Sequence, residues 1–338
     1  MKRIERFWRM QSSDLSYLIG FLMVMAVIPI FLPETLLYIL GLTFIFIVFS
    51  ISWDFLTGLV GEVNLGHTIF IGIGGYVTAL LHVPSRFEGT ILSPLANIPE
   101  LPIPLTIFLG GVVAAVFGVA IGLITLRLKG WYFALVTAIL PLLFIKATYV
   151  FKDLFGGEEG FSVGLGKAIA QDTFGKYIVS LAFMILCFAI LYGIKNSKLG
   201  LTLVAIREDN TLAEALGINI YLYKVFAMGV SSFFAGLSGA LLVHYRITVS
   251  PDLFDVPLML LIILAVVIGG LGSIVGPVIG GFLIYLLKYW VLKVYLVPYI
   301  PPAFPLNDDI ILYILLIIIA ITMPHGIYER LRKLYTAP

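Results

Sequence analysis

Charge is what this sequence has least of. Only 12% of its 338 residues are Asp, Glu, Lys or Arg, 61% are hydrophobic, and mean hydropathy is +1.09. Soluble domains carry about 25% charged residues, so the shortage excludes an ordinary water-soluble fold and points to a membrane protein. A formal net charge of +2, with no basic patch interleaved with aromatics, argues against a nucleic-acid partner. Cysteine is nearly missing as well. Cys187 stands alone in an apolar run, so neither a disulfide framework nor a cysteine metal site can form within the chain.

Catalytic signatures are missing too. Gly166-Lys167 is followed by Ala168, and Phe161 stands where a phosphate-binding loop has its first glycine. There is no HExxH, no GxSxG, and no carboxylate pair inside a span for proton coupling. The chain is therefore not expected to be an enzyme, and no catalytic residue, cofactor or metal is expected. A transporter without a nucleotide site or an ion relay must take its energy from elsewhere.

What is present is a series of apolar runs. The basic start, Lys2, Arg3, Arg6 and Arg9, precedes the run from Tyr17 to Leu32 in the charge order of a signal peptide. No small-x-small cleavage site follows, so an uncleaved first span is expected. At about 20 apolar residues per crossing, spans are expected at 16–33, 35–53, 65–83, 103–126, 131–150, 177–194, 224–244, 256–272, 275–297 and 309–323. That is an all-α polytopic membrane protein of about ten helices, forming one domain over 1–338. Most Lys and Arg residues fall on one side if the N-terminus is inside: Lys2 and Arg3, then Arg127, Lys195, Lys198 and Arg207, then Arg330, Arg332 and Lys333. Both termini, 1–15 and 324–338, are then cytoplasmic. Outer loops 84–102, 151–176 and 298–308 are either contacts for an extracytoplasmic partner or plain solvated connectors.

One segment interrupts the apolar pattern. From Lys195 to Lys224 the chain is polar, and it faces the cytoplasm in this topology. Thr211 and Glu214 have capping-box spacing, Glu208 and Asp209 suit the positive end of a helix, and Gly217 can end it. Leu212 and Leu216 form a small apolar stripe. So short a helix needs something packed on Leu212, Ala213, Ala215 and Leu216: a partner groove, the chain's own spans, or the lipid interface.

A second special region is rich in glycine. It runs from Gly58 through Gly61, Glu62, Asn64, Gly66 and His67 to Gly72, Gly74, Gly75 and Tyr76. Polar groups at membrane depth indicate either a cavity or interhelical hydrogen bonds and helix caps. Gly118 and Gly122, and Gly272, Gly276 and Gly280, have the spacing of close helix packing. The likeness of 58–80 to 269–290 hints at an internal repeat. Lys146, His244, Arg246 and Lys288 are read as snorkelling side chains, and Asp54, at the inner end of the second span, is ambiguous.

Three stretches carry a family resemblance: Gly61 to His67 and on to Tyr76; Leu126-Arg127-Leu128-Lys129-Gly130-Trp131 to Thr137; and Ala205-Ile206-Arg207-Glu208-Asp209 to Lys224. The last continues through Phe234 to Ala240, Ser250-Pro251 and Val267 to Pro277. In this order and spacing the chain resembles the LivM-type permease subunit of branched-chain amino-acid ABC transporters, the inner-membrane component of a binding-protein-dependent system. The resemblance implies a translocation path shared with a second, LivH-type permease, two cytoplasmic ABC ATPase subunits and an extracytoplasmic solute-binding protein. It makes 195–223 the cytoplasmic coupling loop, with Arg207, Glu208, Asp209, Leu212, Ala213, Glu214, Ala215, Leu216 and Gly217 contacting the ATPase. Glu62, Asn64, His67, Gly74 and Tyr76 are candidates for the path, with Glu62 where the family often has glutamine. A urea or amide permease, or an ion-coupled secondary transporter, are the alternatives.

Overall fold

The computed structural model describes residues 27–90, 93–128 and 130–296, with isolated positions at 20, 25, 310, 311, 313, 314, 317, 318, 326 and 327. The expected segments 1–15, 298–308 and 324–338, and most of spans 16–33 and 309–323, lie outside the described residues.

Six described helices are long and apolar enough to cross a membrane. They are α1 (Glu34–Val60), α3 (Ile103–Thr125), α4 (Trp131–Val150), α5 (Thr173–Lys195), α8 (Ile220–Arg246) and α10 (Val275–Leu286), which continues as a π-helical stretch over Leu287–Leu296. Two shorter apolar helices, α2 (Thr68–His82) and α9 (Val256–Gly269), accompany them. The chain is an all-α, multi-pass membrane protein.

Local chemistry sets the helix ends. Pro33 and Pro102 hold extended backbone just before α1 and α3. Asp172 accepts the Gly175 N–H at 2.8 Å and so caps α5, and Asn219 accepts the Leu222 N–H at 3.2 Å and caps α8. Gly61, at φ 85°, closes α1 in the left-handed conformation.

Two boundaries differ from the sequence reading. The second span runs on to Val60, so Asp54 lies inside α1 and not at its end. The eighth stops at Gly269, because Gly270 at φ 120° and Gly272 at φ 78° turn the chain before α10.

Alternation of the long helices gives the molecule two ends. One gathers 61–67, 126–128, 196–219 and 270–274, joined by bonds such as Lys195 to the Ser273 carbonyl and Tyr221 to the Leu123 carbonyl. The other gathers 83–90, 93–102, 151–172 and 247–255. There β1 (Phe161–Ser162) pairs antiparallel with β2 (Thr248–Val249), Phe161 opposite Val249.

Segment 61–67 turns back into the bundle. The His67 Nε2 shares a 2.9 Å hydrogen bond with the Ser52 hydroxyl, and the Trp53 indole donates to the Asn64 carbonyl at 2.6 Å. Ser52 lies eight residues before the end of α1, so α2 starts about 12 Å inside that end. Irregular backbone at such depth survives only when buried in protein, and Asn64 and His67 are 1% and 0% exposed. Thus 53–60 completes α1, and 61–67 folds back against it.

Close packing of α2, α3 and α8 fixes that entry. A Cβ on Gly74 would lie 2.1 Å from the Gly236 carbonyl oxygen, so only glycine permits this crossing. The expected packing role of Gly118, Gly276 and Gly280 also holds: each would clash with the facing helix or turn if it carried a side chain.

Candidate functional site

The polar insert folds as two helices, α6 (Lys198–Glu208) and α7 (Asn210–Ala215). The cap of α7 is Asp209, whose Oδ1 accepts the Leu212 N–H at 3.0 Å. Thr211 lies inside the helix, so the capping box with Glu214 does not form. Asp209 holds the extended backbone that a cap requires, and its carboxylate also suits the positive helix end. Gly217, at φ 82°, ends α7 as expected. Its N–H donates to the Glu214 carbonyl at 2.9 Å, and that of Ile218 donates to the Ala213 carbonyl at 3.1 Å.

The apolar residues of α7 divide between two surroundings. Ala213 is buried against the chain, while Leu212 and Leu216 are 59% and 73% exposed, beside exposed Glu214 and Ala215. Along one side an open groove of about 680 Å³ runs between the insert and the turn at 126–128, lined by Arg127, Asn210, Thr211, Glu214 and Gly217. The second and third resemblance stretches thus meet in space.

Behind the insert three charged side chains bond to backbone: Asp54 is fully buried, Lys195 half-buried and Arg207 exposed. The Arg207 guanidinium donates to the Gly58 carbonyl in the last turns of α1. Lys195 Nζ donates to the Ser273 carbonyl at 2.7 Å. Asp54, 0% exposed, accepts the Gly272 N–H at 2.6 Å through Oδ1 and the Ile274 N–H at 3.2 Å through Oδ2. Ile274 sits at φ 59°, where a β-branched residue is strained by about 1–3 kcal/mol. The turn 270–274 is therefore held against its own preference by the Asp54 carboxylate, with Lys195 bonded to its Ser273 carbonyl. Sequence reasoning missed Asp54 and Lys195. The available signal was a lone carboxylate inside an apolar helix, which is expensive unless bonded.

The candidates for the path fall in different places. Glu62 pairs with Lys224 at 2.5 Å near the insert end, the two side chains 14% and 12% exposed. Asn64 accepts the Gly66 N–H at 2.9 Å and so shapes the turn in 61–67. His67 bonds Ser52, and Gly74 lies in the helix crossing. Tyr76 is 3% exposed and stacks on Phe254 at 5.7 Å, with Phe155 and Phe161 at its edges. Its hydroxyl has no hydrogen-bond partner among the described residues. The structure does not bring these five into one cluster.

The opposite end corrects two snorkelling assignments. His244 is buried, sharing bonds with the Thr78 hydroxyl at 2.9 Å and the Lys167 carbonyl at 2.7 Å. Lys288 is only 7% exposed. Arg246 pairs with Asp252 at 3.0 Å, and Lys167 with Glu100 at 2.8 Å. The bond from Lys167 holds the Glu100 carboxyl below the usual glutamate range. Among the described residues no group of three or more His, Cys, Asp or Glu side chains could hold a metal ion.

Comparison with known proteins bears on this arrangement. Residues 35–320 match the family described as branched-chain amino acid transport system / permease component. The chain is 28% identical over 288 residues to the high-affinity branched-chain amino acid transport system permease protein LivM of Escherichia coli, covering 76% of this chain and 64% of the relative. It thus spans somewhat under two thirds of that relative's length. It is 25% identical over 311 residues to LivH of Salmonella typhimurium, covering 86% of this chain and 92% of that protein. The ribose import permease protein RbsC of Haemophilus influenzae is 27% identical over 239 residues, covering 65% and 71%. No solved structure matches the chain.

Proposed function

We propose that this chain, which belongs to the branched-chain amino acid transport system permease component family, is the LivM-type membrane subunit of an ATP-driven importer for leucine, isoleucine and valine. It forms the translocation path with a LivH-type permease in a prokaryotic cytoplasmic membrane. Two ATPase subunits supply the energy, and an extracytoplasmic binding protein delivers the solute. The chain itself has no ATP site. It is one transmembrane domain of ten spans with 1–15, 195–223 and 324–338 in the cytoplasm.

One observation carries this reading: α7 presents Leu212, Ala215 and Leu216 to solvent from an insert bonded to two other parts of the bundle. An exposed apolar face on a helix of six residues needs a partner to be stable. Arg207 ties that helix pair to α1, and Lys195 ties the start of the insert to the 270–274 turn. A push on α7 then reaches both, which is what coupling to an ATPase requires. Arg207, Glu208, Asp209, Leu212, Ala213, Glu214, Ala215, Leu216 and Gly217 form the coupling element. The ion-coupled alternative loses its best relay, because Glu62 is already paired with Lys224. Relatives that differ in named solute, branched-chain amino acids and ribose, leave the urea or amide alternative to experiment.

Glu214→Lys combined with Leu216→Asp should release the ATPases while the permease stays inserted, read by co-purification. In proteoliposomes, leucine uptake should require the partner subunits and ATP. Retained ATPase binding by the double variant, or ATP-independent uptake by this chain alone, would sink the reading.

A further inference from the structure

At the end opposite the insert, a cavity of about 150 Å³ opens among α1, α8, α9 and the π-helical stretch. Its walls include Leu42, Phe46 and Phe49 of α1 and Leu258 and Leu261 of α9. Its rim is formed by Arg246, Asp252, Asp255 and Lys288. A mostly apolar pocket with a few convergent polar groups is the usual form of a small-molecule site.

Size, charge and position agree on one class of ligand. A dry cavity of about 150 Å³ lined by leucine, isoleucine and phenylalanine holds benzene, so an isobutyl or sec-butyl group fits this one. The rim carries two cations and two carboxylates, matching a ligand with one charge of each sign. Arg246 and Asp252 already bond each other at 3.0 Å. The half-buried Asp255 carboxylate makes no hydrogen bond among the described residues, although it heads α9. Lys288 is 7% exposed, with its ammonium over the Tyr289 ring at 5.3 Å. The mouth lies beside 247–255, away from the insert, where a solute arriving from outside would enter.

We propose that this cavity is a binding station for an aliphatic amino acid, with the side chain against Leu258 and Phe46, the ammonium at Asp255 and the carboxylate at Arg246 and Lys288. The assignment rests on the importer reading above. It places recognition within this one chain as well as in a delivering protein.

The test is equilibrium binding of labelled leucine, glycine and phenylalanine to the purified permease–ATPase complex without the binding protein, so that the affinity read is the permease's own. The wild type should bind leucine at least about tenfold more tightly than glycine. Leu258→Trp should erase that preference, Leu258→Ala should shift it toward phenylalanine, and Asp255→Asn should weaken leucine about tenfold. Co-purification of the ATPases with each variant shows that it is folded. Equal binding of leucine and glycine by the wild type overturns the site, as does unchanged binding in all three variants or a cavity filled only by co-purified lipid. Lack of ATP-driven leucine uptake by the full wild-type system would instead overturn the importer reading.

Discussion

The two ends of the molecule hold their charges differently. At the insert end, Asp54, Lys195 and Arg207 direct their bonds to backbone, the N–H groups of Gly272 and Ile274 and the carbonyls of Ser273 and Gly58, and the Glu62–Lys224 pair is 14% and 12% exposed. At the other end the ion pairs lie near water, the carboxylates of Glu100 and Asp252 being 84% and 48% exposed. A charge bonded to backbone dictates the path of the chain. An exposed ion pair contributes little and can part without breaking the core. The charges of the insert end are thus tied into the path of the chain, while the ion pairs of the opposite end are open to solvent.

The largest effect should come from the carboxylate that organises the insert end. Asp54→Ala leaves the Gly272 and Ile274 N–H groups without their acceptor and leaves Ile274 unsupported at positive φ. Each orphaned donor costs about 1–3 kcal/mol, so a loss of about 2–6 kcal/mol is expected. Asp54→Asn, which keeps one acceptor oxygen, should lose roughly half as much. Thermal melting of the detergent-solubilised protein measures both. A melt indistinguishable from wild type would remove the contrast between the ends.

A smaller and more selective effect is expected at Arg207. Its removal leaves α7 capped by Asp209 and ended by Gly217, so the docking face survives. Only the tie to Gly58 is lost. Arg207→Ala should therefore retain ATPase binding while uptake falls about tenfold, as expected for about 1.4 kcal/mol of lost positioning. Arg207→Lys, which restores one donor, should recover part of it. Loss of ATPase binding together with uptake would show that Arg207 is part of the docking face and does not transmit its motion.

How much of this could be read beforehand depends on what each residue bonds to. The span 131–150 is legible to the residue, because Gly130 precedes it and a charged, glycine-rich loop follows. Reading Asp54 as a membrane edge stops the second span at 53, whereas its bonds are to a turn more than 200 residues away. Such a partner leaves no local trace. The end of α9 is missed by only three residues, because the glycines from Gly269 to Gly272 mark the turn between the two spans but do not show which of them ends the helix. The insert is legible as a short exposed helical segment, because leucines between charges have a local pattern. Its cap is harder to place, since Asp209 and Thr211 are both suitable residues and the backbone decides between them.

The smallest effect should lie at the end opposite the insert, in the Glu100–Lys167 pair. Lys167 lowers the Glu100 pKa in the folded state relative to the unfolded chain. A lowered carboxyl pKa contributes stability above the unfolded value, and that contribution disappears as pH falls through the folded value. Glu100→Gln should therefore melt slightly below wild type at about pH 7, and the two should converge as pH falls through the lowered folded value. Added salt should narrow the gap at neutral pH, because the carboxylate is in solvent. Asp54→Ala should keep its deficit at high salt, since a fully buried carboxylate bonded to backbone is screened far less. A salt-insensitive gap for Glu100→Gln would mean that this end is held as tightly as the insert end.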